Sequence, residues 1–413
     1  MQRCFCHGLL TLSMPITAFT ADTVYTPDEI AHGVVLVEDS RILQACPRAS
    51  IELPAVAREV RLEGLSIAPG FIDIHNHGAG GADVMEATTE SLDTVRRTLA
   101  RFGTTSFYPT TGTAATADIR RAVEFLADAV EQASVPSAMA HPLGIHMEGP
   151  YLNPKRRGVH PIDLLVEPAL DAYRRFAQAA RGKLRIMTIA PELTHAPELI
   201  EEMLGTNVMP SMGHTDATFE EADSAVRLGV RQATHMFNAM RPFGHRDPGV
   251  IAKVLTDPDV KAELIADGVH VDPKAIELLY RAKGVEGIIL VSDGISAVGM
   301  PDGEYEVIGL RVRVEDGACR FEGSLAGSVL TLDRAVRNMI QFVGAAPAEA
   351  IRMATLNTAR HLGIADRKGQ LEEGADADLV ILDEDLNVRE VYARGLPVPQ
   401  IPFGATAAAA RRA

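Results

Sequence analysis

Between about residue 70 and residue 365 the chain keeps alternating amphipathic runs with short apolar ones. "SLDTVRRTLARFG" leads into "TSFYPTT", "RRAVEFLADAVEQA" into "AMAHPLGIHMEGP", "ALDAYRRFAQAARG" into "RIMTIAPE", and "PKAIELLYRAKG" into "GIILVSDG". Apolar residues three and four apart mark helices that bury one face, whereas short apolar runs suit buried strands. Strand and helix in alternation build βαβ units on a parallel sheet, and a repeat count near eight predicts a (β/α)8 barrel. The two ends of the chain read differently. "ITAFTADTVYT", "GVVLVEDSRILQA" and "REVRLEGLSIAPG" near the start, and "KGQLEEGADADLVILDEDLNVREVYARGLPV" near the finish, have the character of short strands joined by turns. The expected architecture is therefore an α/β protein in which a TIM-like barrel over 69–365 is inserted into a small β-sandwich domain made of 14–68 and 366–400. An N-terminal arm over 1–13 and a tail over 401–413 complete the division.

Composition narrows the partners. Forty Lys and Arg stand against 55 Asp and Glu, a formal charge of −15, which argues against a chain that must neutralise a phosphate backbone. The four cysteines, Cys4, Cys6, Cys46 and Cys319, form no CxxC pair, so a reducing, cytoplasmic setting is expected. The apolar stretch near the start is interrupted by His7, Ser13 and Pro15, which speaks against a secretory leader. No run approaches the ~18 apolar residues of a membrane span. Neither a nucleic-acid nor a membrane partner is expected.

A barrel of this kind builds its chemistry at the C-terminal ends of its strands, and polar residues gather there. His75 and His77 follow "FIDI", Glu148 ends "LGIHME", His214 follows "VMPSMG", His235 follows "QAT", His270 follows "LIADGV", and Asp293 follows "IILVS". Singly, each reads as a hydrogen-bonded residue closing a strand, and Asp293-Gly294 as an Asx turn. Recurring at one end of successive strands, they read as a metal site, because imidazole and carboxylate are the donors that Zn2+ and similar ions select. The spacing of "HNH" fits this reading, since alternate residues of a strand face the same way.

These segments, with "GIHMEGPYLNP", "RGVH", "SMGHTDA", "THMFNAM", "VSDGISAVG", "SLAGSVLTLDRAV" and "GQLEEGADADLVILD", resemble the amidohydrolase superfamily, and within it the deacetylases of N-acetyl amino-sugar 6-phosphates. The "HMEGP" element separates that group from relatives that use a carboxylated lysine as bridging ligand. The resemblance implies that Glu148, His214 and His235 hold a principal divalent ion, Zn2+ first and Fe2+, Co2+ or Mn2+ as alternatives. It implies a second ion on His75 and His77 with Glu148 bridging; relatives that replace this pair with residues such as Gln and Asn hold one metal. Asp293 becomes the base that takes a proton from the attacking water and later the acid that returns one to the leaving amine, and His160 the residue facing the substrate carbonyl.

The resemblance also implies a substrate wall of Asn238, Ala239, His270, Leu325, Ala326 and Gly327, with Arg246 reaching the neighbouring site of a homodimer to bind phosphate. The expected reaction is hydrolysis of the N-acetyl group of N-acetylglucosamine 6-phosphate to glucosamine 6-phosphate and acetate, in amino-sugar catabolism and cell-wall recycling. Alternatives are the galactosamine epimer, another amidohydrolase acting on a cyclic amide, and a non-catalytic scaffold. The scaffold reading predicts loss of Asp293 or of a metal donor, and all are present. His141 and His361 read as structural or surface residues, and Gly78, Gly80 and Gly81 as a loop leaving room for substrate.

Overall fold

The protein is described here by a computed structural model covering residues 16–307 and 310–400; the arm and tail expected at 1–13 and 401–413 lie outside the described residues. Strands β1 (Thr17–Thr26), β2 (Asp28–Glu38), β3 (Arg41–Pro47) and β4 (Arg58–Pro69) open the chain. The barrel strands follow: β5 (Phe71–Asn76), β6 (Thr104–Thr111), β7 (Ile145–Glu148), β8 (Leu184–Ile189), β9 (Met209–Met212), β10 (Gln232–Ala233), β11 (Lys261–Leu264) and β12 (Ile288–Leu290). Next come β13 (Gly303–Val307), β14 (Leu310–Glu315), β15 (Ala318–Phe321) and β16 (Ser324–Leu325), and finally β17 (Leu379–Leu382), β18 (Val388–Ala393) and β19 (Leu396–Pro397).

The expected barrel is present. Strands β5 to β12 pair in chain order, each parallel to the next. The ring is drawn together between β5 and the residues after β12: Asn76 and Gly294 form a parallel bridge, Asp293 N–H donates to His75 O at 2.9 Å, and His77 N–H donates to Gly294 O at 2.7 Å. The buried Asp73 adds a side-chain clasp by accepting from Ser292 Oγ at 2.6 Å. The helices between strands start where the local chemistry satisfies their first free N–H groups. Thr218 and Glu221 form a capping box for Phe219–Leu228, and Asp272 caps Pro273–Lys283, whose first residue is proline.

Both chain ends meet in one seven-stranded sheet of order β19-β18-β17-β4-β1-β2-β3, all antiparallel except β1 with β4. Strand β17 joins this sheet to the barrel by the period-two rule: Leu379 and Ile381 enter the apolar cluster of the terminal sheet, whereas Val380 and Leu382 enter that of the barrel. Each such fully buried side chain contributes roughly 1.5–3 kcal/mol of burial. The passage from β4 to β5 turns on Gly70, where a Cβ would lie 2.0 Å from Thr105 Oγ1, so no larger residue fits.

Two features depart from the sequence reading. Gly78–Ala79 pairs with Ala82–Asp83 in a small hairpin whose turn residues Gly80 and Gly81 both have positive φ. These glycines make a tight turn and do not line the pocket described below. Strands β13 to β16 form a separate antiparallel sheet inserted after β12, which the barrel expectation does not contain. Its signal was in the alternating "RVRVEDGACRF", whose Asp316-Gly317 turn has positive φ at both residues. Val312, Val314 and Cys319 of this sheet pack on Ile295 and Ala297, so the insertion is anchored directly behind the strand end that carries Asp293.

Candidate functional site

Glu148 ends β7 as a buried carboxylate, and four imidazoles converge on it from other strand ends. His214 Nε2 lies 3.2 Å and His235 Nε2 3.0 Å from its Oε1, and these two nitrogens are 3.1 Å apart. His77 Nε2 is 3.2 Å from Oε2, and His75 Nε2 is 3.4 Å from Oε1. Asp293 Oδ1 closes the group at 3.5 Å from His75 Nε2 and 3.4 Å from His77 Nε2. His160 approaches from the loop after β7, with Nε2 3.4 Å from Glu148 Oε2 and Nδ1 2.9 Å from Thr113 Oγ1.

Backbone conformation aims several of these side chains. His214, His235 and Asp293 have positive φ, as do Phe237 and Ala239 in the next loop. Such conformations cost non-glycine residues of order 1–3 kcal/mol each and gather where structure is held for function. Hydrogen bonds fix the rings from behind. His214 Nδ1 is 2.8 Å from Arg156 O, and His75 Nδ1 is 3.1 Å from Glu263 Oε2.

The donor set fits a divalent cation. Oε1 of Glu148 with Nε2 of His214 and His235 make a triangle with edges of 3.0, 3.1 and 3.2 Å, close to the edge of about 3.3 Å that follows for ligands at ~2.0–2.1 Å around a tetrahedral ion. Among the described residues, buried His75 Nε2 finds no hydrogen-bond partner. The groupings His75–His77–Glu148 and Glu148–His160–His214 each bring three donor atoms within 4.8 Å of one another.

Protonation shows the same need. Burial disfavours charge on His75 and His77, yet the carboxylates of Glu148 and Asp293 prevail, holding His75 well above the ordinary imidazole range and His77 at about 9. Burial also opposes charge on Glu148 and Asp293, and the charge on His75 outweighs it, keeping both well below the usual carboxylate range. His214 goes the other way, down to about 4, through burial and the neighbouring rings of His160 and His235. Protons and a divalent ion would compete here for the same lone pairs.

A pocket of about 210 Å³ opens over these groups. His77, Glu148, His160, His214, His235 and Asp293 form its floor, and Asn238, Ala239, His270, Leu325 and Gly327 part of its wall. His270 is held by Asp267, with Nδ1 2.6 Å from Oδ2. Not every expected site residue is there. Ala326 turns away into the apolar cluster of the inserted sheet, and Arg246 stands exposed on its loop, outside this chain's own pocket.

Three polar residues of the site were missed. Glu263 is wholly buried on β11 and accepts from Gln232 Nε2 at 2.5 Å and from His235 N–H at 3.2 Å besides meeting His75. His146 bridges Ile74 O and Thr188 Oγ1 at 2.9 and 2.8 Å, and Thr113 orients His160. An acid inside the otherwise apolar "AELIA" was the available signal for Glu263.

A family model described as the amidohydrolase family matches residues 66–398. The chain belongs to the amidohydrolase family. That family is metal-dependent, in keeping with the donor groups around Glu148. Among its relatives the chain is 42% identical over 333 residues to the N-acetylglucosamine-6-phosphate deacetylase of Lysinibacillus sphaericus, covering 80% of this chain and 85% of that one. It is 38% identical to the N-acetylgalactosamine-6-phosphate deacetylase of Escherichia coli O157:H7, covering 80% and 86%. Among solved structures it is similar to a mutant N-acetyl-D-glucosamine-6-phosphate deacetylase from Mycobacterium smegmatis in complex with N-acetyl-D-glucosamine-6-phosphate. The TM-score is 0.87 at 33% identity, over 93% of this chain and 100% of that one.

Proposed function

We propose that this amidohydrolase removes the N-acetyl group of N-acetylglucosamine 6-phosphate, releasing glucosamine 6-phosphate and acetate. The observation that carries the reading is the floor of the pocket, where Glu148 gathers four imidazoles beside the carboxylate of Asp293. Glu148, His214 and His235 would hold a principal divalent ion, Zn2+ by preference, with His75 and His77 serving a second. When bound, such an ion lowers the pKa of water towards about 7 and polarises a carbonyl.

The chain's own groups then divide the work. Asp293 is ionised, so its carboxylate accepts a proton from the water that attacks the acetyl carbon. As the C–N bond breaks, the same carboxyl returns that proton to the amine, which is too basic to leave as an anion. His160, with Nδ1 engaged by Thr113, presents Nε2 to the carbonyl oxygen as negative charge grows there. Asn238, the backbone at Ala239 and His270, on the pocket wall, receive the sugar phosphate.

Arg246 would complete phosphate binding in a second subunit. Its exposure, with that of Phe243 three residues away at 58%, suits a loop that docks on another copy. Among the described residues no helix is long and apolar enough to cross a membrane. The described cysteines Cys46 and Cys319 are free and buried, which supports a cytoplasmic setting.

The test is acetate release from N-acetylglucosamine 6-phosphate, the unphosphorylated sugar and the galactosamine epimer, on protein of known metal content. Rapid release from the phosphorylated glucosamine derivative is expected. The relative from Escherichia coli O157:H7 keeps the galactosamine epimer as a second reading, and faster release from that substrate would replace the first. Release from neither by metal-loaded protein would remove both substrates.

A further inference from the structure

At the end of the barrel away from Glu148, a cavity of about 360 Å³ opens beside the starts of β7 and β8. Its polar lining is Tyr108, His141, Lys183, Arg185, Arg367 and Lys368. The chain holds 55 acidic residues against 40 basic ones, yet among the described residues four cations and no carboxylate face this one space. Carboxylates behind the wall neutralise two of them. Lys368 Nζ is 2.9 Å from Asp376 and 2.6 Å from Asp378, and Arg367 is 3.2 Å from Asp376.

The other two cations lack such support. Lys183 stands 3.9 Å from Glu131, at the outer limit of an ion pair. Arg185 shares the lining with the phenol of Tyr108, and among the described residues no carboxylate lies within ion-pair distance of it. Arg394, just behind His141, also has neutral partners: Ala133 O at 3.1 Å, Ser134 O at 2.8 Å and His141 Nδ1 at 3.3 Å. His141 responds to this setting. Burial first, then Lys368 and Arg394, push its pKa down to about 3, so the ring is neutral at physiological pH.

We propose that this cavity is a second, non-catalytic site that binds a small phosphoryl-bearing anion through Arg185 and Lys183. A guanidinium fork beside a weakly paired ammonium matches a dianion with three acceptor oxygens better than a single carboxylate. The volume lies at the lower end of the range for small-molecule sites, with room for inorganic phosphate or for a phosphate ester. Val130, Leu143 and Ile364 supply an apolar flank.

The test titrates inorganic phosphate and, separately, glucose 6-phosphate into the full-length metal-loaded protein and three variants. Arg185→Gln weakens binding at least tenfold, and Lys183→Gln, at a position with Glu131 3.9 Å away, weakens it less. The double variant Asn238→Ala/His270→Ala, altered in the pocket over Glu148, retains this binding event. Titrations unchanged by Arg185→Gln and Lys183→Gln overturn the proposal, as does loss of all binding in the double variant. Thermal melting checks the fold of each variant, and Lys183→Gln carries the test if Arg185→Gln does not fold. Tighter binding of glucose 6-phosphate than of phosphate identifies an ester as the occupant; the reverse identifies free phosphate.

Discussion

The two mouths of the barrel share the same eight strands and treat charge in opposite ways. Where the strands end, imidazoles and carboxylates interleave at 3.0–3.5 Å, and each charge is set against its opposite. Where β7 and β8 begin, four cations line a cavity with no acid among them. The topology offers both mouths to chemistry, and the strand-end mouth is distinguished by how its groups are held. Positive-φ positions aim His214, His235 and Asp293, and buried partners such as Glu263 fix ring orientation. That is the preorganisation a reacting site needs, whereas a site that only binds an anion needs positive charge and room.

Four measurements can break or sharpen this contrast. The largest effect is expected for Asp293→Asn, which removes the proposed proton acceptor and leaves Glu148 and the histidines in place. Turnover should fall on the order of 10²–10⁴-fold with metal content retained, and full activity would take Asp293 out of the mechanism. Glu263→Gln comes next. It weakens the support of His75 without touching substrate, so metal affinity should drop about 10–100-fold, read by competition with a chelator. Unchanged affinity would reduce Glu263 to a packing residue.

His270→Ala should raise KM for the phosphorylated substrate about tenfold, since a hydrogen bond to a charged group contributes roughly 1.5 kcal/mol or more. An equal rise for the unphosphorylated sugar would argue against a phosphate contact. The smallest signal is proton release when the metal-free protein takes up a divalent ion in weak buffer. His75 and His77 are raised, so they carry protons at pH 7.5 that the ion must expel. The yield should shrink above pH about 9, where His77 gives up its proton unaided; proton uptake on loading would contradict the assignment of those rings as ligands.

Much of the catalytic mouth was legible in the chain. An HxH after an apolar run, an acid at the end of "LGIHME" and histidines after successive strands declare themselves because strand ends are marked by local pattern. The roles of Glu263, marked only as an acid in an apolar run, and of Thr113 were not legible, because what distinguishes them is the neighbour they meet, His75 or His160, more than 40 residues away in each case. The inserted sheet of β13 to β16 was readable from its alternation and Asp-Gly turn, and the expectation of barrel units alone hid it.

The sequence by itself determined the barrel, the joining of the chain ends in one small β unit, expected as a sandwich and found as a single seven-stranded sheet, and the strand-end histidines and acids around Glu148, since these follow from periodicity and residue chemistry along the chain. Only the tertiary structure decided that Ala326 faces an apolar cluster and that Arg246 stands clear of its own pocket. It also decided that Lys183, Arg185, Arg367 and Lys368 share one cavity. Side-chain direction and the convergence of separate loops depend on how the whole ring closes, and that information lies in no single stretch of the chain.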